Sequence, residues 1–373
     1  MGGILGAGAG GAEVAVPAAV FAAAVGTALF FRAHLGRYGR IAGWQGQATL
    51  AVLATALAAG ALAVWPLPRG ADGLCAIDGG APVLARPLAL GELPGSWSTL
   101  ALHIAAAAGV PAAAGILARY RYRRGFWCPR GLAALLAVAV EAVQATGMLG
   151  LYPCAYRVAA VDDVLLGAAG GAVGWLLGSA AVRVLPRGWP GAVMDAMPPG
   201  LSRRLGGHLL DLVLWWYGTL LVVGVLLDAG VVAVGGAGDA HKTALVAAAV
   251  LFGLLVPLLR RDRSTPGRAS MRLAVAENGS PGPAARWRST LRAALLYTPV
   301  TVLFVFDLHP WALLVVLIHG APELVRRDQA GTVDLMTGTR ITTRTAVAGG
   351  LPGKLIRYQP SLQPGPPPQR VGN

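Results

Sequence analysis

The chain has 373 residues, of which 55% are hydrophobic and 13% charged, a balance that excludes an ordinary soluble protein. A formal net charge of +14 would suit nucleic acid if the cations formed one polar surface. They sit instead between long apolar runs, which makes them a matter of membrane topology.

Five apolar runs fill the first half, at 14–31, 48–65, 97–118, 131–152 and 161–182. Each is about as long as a helix needs to cross roughly 30 Å of hydrocarbon. Two more follow at 209–227 and 243–259, and 291–325 is long enough for two short crossings if the chain turns at "DLHP", Asp307 to Pro310. The runs are apolar all round, without the polar stripe of a soluble helix. The expected fold is all-α: a polytopic helical membrane protein of about nine transmembrane helices in two bundles.

With the N-terminus outside, 27 of the 31 Lys and Arg residues fall in inner segments, leaving Arg69, Arg86, Arg157 and Lys242 outside. Reading 291–325 as one span degrades the split to 20 against 11, so the positive-inside rule favours the hairpin and a cytoplasmic C-terminus. The opening "MGGILGAGAGGAEVAV" has no cationic stretch or clear cleavage site, so the first run is expected to be retained. The segment "RYRYRRGFWCPR", 119–130, interleaves arginines with aromatics where a helix leaves the bilayer, and reads as an interfacial anchor. The connection at 258–292 is broken by Thr-Pro-Gly and Ser-Pro-Gly-Pro steps and is expected to hold a short surface-lying piece around 271–276. The lipid bilayer is the expected partner, nucleic acid is not, and the sequence is silent on oligomeric state.

This topology puts Cys75 and Cys154 outside and Cys128 inside. Cys75 and Cys154 are either paired in a compartment that permits oxidation or two separate thiols. Three Cys without nearby His give no zinc pattern. Nucleotide-binding, zinc-protease and serine-hydrolase signatures are absent, so no catalytic residue, metal or cofactor is expected.

Three carboxylates interrupt the apolar pattern between 140 and 167. Glu141 and Gln144 are three apart and share a helix face near the bilayer centre, where an unpaired carboxylate costs about 2.5–3.5 kcal/mol. Arg157, Asp162 and Asp163 follow across a tight outer turn, so the two helices must be antiparallel neighbours. Asp162 or Asp163 is placed to accept from Arg157, with Glu141 held protonated or hydrogen-bonded by Gln144. Two readings stay open: a lock between helices, or a polar cavity open to the outer face that takes a headgroup, a sugar phosphate or a proton.

The pattern "EAVQ…YRVAAVDDVLLGAAGGAVG" resembles the VanZ-like family over about 44–185. Members are small polytopic membrane proteins, named for one that lowers susceptibility to the glycopeptide teicoplanin. The resemblance implies matched roles for Glu141, Gln144, Arg157 and Asp162 or Asp163. Gly167 stands where the family usually has Asn, and 103–115 keeps the Pro but lacks an earlier Asn. Gly170, Gly174 and Gly178, spaced four apart, read as a close helix-packing face.

After the Pro/Gly-rich linker 186–200, "RRLGGHLLDLVL", "STPGRASMRLAV" and "RRDQAGTVDLMTGTRI" resemble, in order, three motifs of the RDD family, matched by Arg204, Asp211 and Asp334. A spacing of seven puts Arg204 and Asp211 on one side of a helix, about 10 Å apart along it. Arg204 then neutralises Asp211 only in part, and another helix or the cytoplasmic motif is expected to supply the rest. Asp334 is expected to cap or bind at the inner surface. For this half the alternatives are structural pairing, an ion or proton role, and partner docking.

The domains are thus 1–185 VanZ-like, 186–200 linker, 201–345 RDD-like, and a Pro/Gly-rich tail, 346–373, expected to be disordered. Lys occurs only twice among abundant Ala, Gly and Arg, which suggests a GC-rich bacterium. The expected role is at the bacterial plasma membrane and cell envelope: binding a cell-wall precursor, lipid headgroup or glycopeptide-type antibiotic and contributing to antibiotic tolerance. The alternatives are a proton- or ion-coupled transporter using Asp211 and Glu141, and a non-catalytic scaffold.

Overall fold

The computed structural model describes residues 12–64, 97–150, 159–189, 191–192, 195, 199–280 and 282–348. In chain order these form α1 (Ala12–Tyr38), α2 (Gly43–Val64), α3 (Trp97–Tyr120), α4 (Trp127–Ala145), α5 (Val161–Val184), α6 (Leu201–Asp228) and α7 (Ala237–Ala248). Then come the short α8 (Pro266–Ser270), strand β1 (Leu273–Glu277), α9 (Arg286–Val305), α10 (His309–Val325), the short α11 (Thr332–Thr337), strand β2 (Thr339–Thr343) and a last turn, α12 (Arg344–Ala348). Cys75, Cys154, Arg157 and the tail beyond 348 lie outside the described residues, so the disulfide and the disordered tail are expectations about segments not described.

Among the described residues six helices are long and apolar enough to cross a membrane: α1, α2, α4, α5, α6 and α7 with its extension to Leu259. The chain is a multi-pass membrane protein. The other three expected crossings are α3, α9 and α10. α9 opens with Arg286, Arg288 and Arg292, and α10 has 17 residues, which is about 25 Å of helix. Leu135, Leu165, Leu176 and Leu317 are more than half exposed; side chains of this kind mark the faces that meet lipid. The chain turns at 306–308, between α9 and α10. Asp307 at that tip pairs with Lys242 of α7 at 2.8 Å, which puts the turn beside the first half of α7. So exposed a pair adds little stability.

α7 runs on through a π-helical segment (Ala249–Leu255) into a final turn (Val256–Leu259). Pro257 explains it: without an N–H, and with its ring against the carbonyl four residues back, it cannot continue the α-helical ladder, and a wider turn absorbs the mismatch. Gly253, inside that turn, lies against Trp215 and Tyr297, whose rings meet at 5.1 Å.

The N-terminal bundle is organised by small residues. A Cβ on Gly170, Gly174 or Gly178 would run into the α3 carbonyls of Ala108, Ala112 and Ile116 respectively. The glycine face therefore brings α5 and α3 into backbone contact, the geometry that replaces hydrophobic driving force inside lipid. Gly171 packs in the same way on Ala133 and Pro129 of α4. Gly167 belongs to this set: a Cβ there would lie 2.7 Å from the Ala137 Cβ, so the missing side chain is what permits Ala137 to pack so closely. Gly174→Leu is expected to force α3 and α5 apart and to destabilise by about 1–3 kcal/mol or more, read as a lower thermal midpoint in detergent. Gly131→Leu, where a Cβ meets nothing within 4 Å, should be neutral by the same measurement.

α1 packs along α6, with Phe21 against Gly218, and so bridges the two bundles. At their shared end lies a polar lobe made of α8, β1, α11, β2 and α12. β1 and β2 pair antiparallel, with Val275 opposite Ile341 and Leu273 opposite Thr343. Leu35, Leu210, Met271, Leu273 and Ile341 form the core beneath it. The piece around 271–276 is therefore not surface-lying, as the sequence suggested, but a strand whose residues 273–276 are all buried. Covered on both faces it shows no polar–apolar alternation, and its partner strand comes more than 60 residues later.

Candidate functional site

On α4 the buried residues are Pro129, Ala133, Ala137, Glu141 and Gln144, one stripe at helical spacing. Glu141 and Gln144 thus extend the small-residue seam that packs on α5. Asp162 and Asp163 stand buried in the first turn of α5, where the helix dipole favours negative charge. A Glu141 carboxylate oxygen (Oε2) accepts the Ala160 N–H at 2.9 Å, from the residue that caps α5. The Gln144 amide (Nε2) donates to the Leu62 carbonyl at 2.8 Å, one of the last-turn carbonyls of α2 that no helical N–H can reach. Gln144 Oε1 is buried without a partner among the described residues. Glu141, Gln144 and Asp163 line one cavity of about 90 Å³, with Pro111 and Ala137 also in its wall. Asp162 is buried beside it but is not part of its wall.

In the second half, Arg204 is 1% exposed. Its guanidinium donates to the carbonyls of Pro199 at 3.1 Å, Ile341 at 3.3 Å and Gln329, tying the linker, β2 and the loop after α10 to the start of α6. Two turns on, Asp211 accepts the Thr265 hydroxyl and the Gly267 N–H, the latter at 2.6 Å. The Thr-Pro-Gly segment thus supplies what Arg204 cannot reach. Gly267 has to be glycine, since a Cβ would lie 2.5 Å from the Asp211 nitrogen and the Gly207 carbonyl. The next residue, Arg268, is buried against His208. Burial pushes its pKa down, and the neighbouring Arg292 adds to this.

Asp334 opens α11, accepting the Gly331 N–H at 3.3 Å, the Thr339 hydroxyl at 3.3 Å and Arg292 of α9 in a buried ion pair. Burial alone would raise its pKa; Arg292 overrides it, so the carboxyl sits below its ordinary value. Beside it, His319 and Glu323, four apart on α10, face each other at 3.6 Å, too far for a hydrogen bond. His319 Nδ1 accepts the Val333 N–H at 3.3 Å, which places the neutral-ring proton on Nε2. That Nε2 and Glu323 Oε1 are both buried without a partner among the described residues.

His319, Glu323 and Asp334 have the donor types and proximity, within 4.8 Å of one another, of a metal-ligand set. Asp334 is already engaged by Arg292 and Gly331, however, and Arg204, Arg268 and Arg292 surround the group, so a divalent cation would meet like charge. The proton that neutral His319 already carries on Nε2, facing Glu323, adds no such charge. The sequence reading missed Thr265, Arg292, His319 and Glu323. The signal available for the last two was a His and a Glu one turn apart inside an apolar run, which lipid does not tolerate without a purpose.

Residues 198–338 match the model of the RDD family, a range that contains Arg204, Asp211 and Asp334. No curated protein and no solved structure matches the chain. In this multi-pass membrane protein the stretch from the linker's end to the start of β2 is thus similar to the RDD family.

Proposed function

We propose that the protein serves the bacterial cell envelope. In this reading a VanZ-like N-terminal half takes the polar end of a cell-wall precursor, an envelope lipid or a glycopeptide-type antibiotic into its cavity from the extracytoplasmic side. The supporting observation is that α4 and α5 turn Glu141, Gln144 and Asp163 onto one cavity wall and away from lipid. At about 90 Å³ the cavity is smaller than the roughly 300–1,000 Å³ of whole-ligand pockets, so it grips a hydroxyl, amide or amine group while the rest of the ligand stays in the headgroup layer. Glu141→Gln keeps the size and removes the charge. It is expected to weaken binding of such a headgroup about tenfold to a hundredfold, the worth of a charge-assisted hydrogen bond. The test is glycopeptide susceptibility of a deletion strain carrying wild type, Glu141→Gln or no copy; equal susceptibility of all three would remove this reading.

A second reading, proton- or ion-coupled transport, is favoured by the facing His319 Nε2 and Glu323 Oε1. Under it, proton flux in proteoliposomes is lost with Glu323→Gln and kept with Glu141→Gln. Wild-type liposomes that are no leakier than empty ones would end it.

A further inference from the structure

A second cavity, of about 210 Å³, lies where α1 ends and α2 begins. It is roughly 20 Å along α2 from Leu62 and shares no residue with the Glu141 cavity. His34, Arg40, Gln45, Thr49 and the first turn of α2 form its walls, and no carboxylate is among them. The first N–H groups of a helix have no intrahelical acceptor, and the macrodipole makes that end positive. Gln45 Oε1 accepts the Gly191 N–H at 2.9 Å, which leaves its amide N–H groups to donate. His34 is 8% exposed and lies between Phe30 and Tyr38, its ring 6.1 and 4.9 Å from theirs. Neither of its nitrogens has a hydrogen-bond partner among the described residues.

Behind Thr49 stands Arg121, 3% exposed, with one amino group donating to the Thr49 hydroxyl at 2.8 Å and its Nε without a partner. Tyr122 lies under the guanidinium at 5.3 Å. Among the described residues no carboxylate pairs with it. The sequence explains why: neither 14–71 nor 93–140, which supply α1 beyond its first two residues, α2 and α3, contains an Asp or Glu. Burial pushes the Arg121 pKa down, and only Tyr122 and Tyr38 oppose it. A buried cation without a counter-charge is among the costliest arrangements in a fold. The preceding residue, Tyr120, is fixed by a relay in which the Trp44 N–H donates to its hydroxyl, which donates to the Pro186 carbonyl.

We infer that this cavity binds a phosphate group, which supplies the anion that Arg121 lacks and two or more free oxygens for the donors of His34, Gln45, Arg40 and the α2 terminus. The group comes either from an anionic phospholipid of the adjoining leaflet or from free phosphate, and the same residues serve both. The inference does not depend on the function of the Glu141 cavity.

The test follows the thermal midpoint of the full-length protein in phosphatidylcholine nanodiscs. One arm titrates inorganic phosphate against chloride at matched ionic strength; the other replaces part of the lipid with phosphatidylglycerol. A gain in the phosphate arm identifies free phosphate as the source, and a gain only with phosphatidylglycerol identifies the lipid. In either case Arg40→Gln should raise the concentration for half-effect at least tenfold and Arg121→Met should abolish the gain, while Arg37→Gln, an exposed cation outside the cavity, leaves it. Without any anion, Arg121→Met should melt above wild type, since it removes an uncompensated charge. No gain in either arm, or a gain that survives both cavity variants, overturns the inference. So does Arg121→Met melting below wild type without anion, which would make the guanidinium a structural strut.

Discussion

Replacing Arg292 by Met is expected to destabilise the protein by about 3–5 kcal/mol, because it leaves a buried carboxylate without its counter-charge. Asp334 is fully buried and keeps only the Gly331 N–H and Thr339 hydroxyl, each at 3.3 Å. Removing both charges in Arg292→Met/Asp334→Leu should recover part of the loss, and the double-mutant cycle gives the coupling directly. The pH dependence supplies an independent sign. In the wild type the folded-state pKa of Asp334 is depressed below the ordinary 3.8. The pair's stabilisation is thus fully present above that value and is lost as pH falls through the lower, folded one. In Arg292→Met the principal opposing charge is gone and burial raises the carboxyl instead. The variant should then be least stable at neutral pH and recover on acidification toward pH 5. Thermal melts in detergent at pH 7 and pH 5 check this: the deficit against wild type should shrink at the lower pH, and a deficit that grows would mean the ion pair is not what holds α11 to α9.

The helices were legible because lipid enforces long apolar runs, and the turn near Asp307 because the distribution of cations required it. Polar helix ends were harder to read. α6 begins at Leu201, eight residues before its apolar run, because its first two turns carry Arg203, Arg204 and His208, which bond to the polar lobe and not to lipid. Hydropathy cannot distinguish a polar helix turn buried in protein from a loop. β1 was missed for a related reason: Leu273 to Ala276 are buried on both sides, and nothing local points to a partner at 339–343. Of the candidate site, Glu141 and Gln144 were readable from a spacing of three. Their acceptor and donor, Leu62 and Ala160, are backbone groups at helix ends, which any sequence would provide. The Arg292–Asp334 pair joins positions 42 apart, and only the folded lobe brings them together.

Asp211 gives the second large effect. Asp211→Leu is expected to cost about 2–6 kcal/mol, since the Thr265 hydroxyl and the Gly267 N–H would each remain buried without an acceptor, at about 1–3 kcal/mol apiece. Asp211→Asn keeps a carbonyl for Gly267 and offers an amide N–H to the Thr265 oxygen, so its loss should be a small fraction of that. The ratio of the two separates roles that the sequence left open. As a latch for the lobe, Asp211 needs its shape and its acceptors, and Asn suffices. As a proton or ion carrier it needs its charge, and Asn is as damaging to flux as Leu. Both carboxylate oxygens are committed to the loop that carries Gly267, so carrying an ion would require that loop to lift away at every cycle. The facing pair His319 and Glu323 has no such commitment at Nε2 and Oε1. Melting curves for the two Asp211 variants, with hydrogen exchange over 264–277 as the local readout, should show the lobe opening in Asp211→Leu only. Proton flux lost in Asp211→Asn with the lobe still closed would transfer the ion role back to Asp211 and remove the latch.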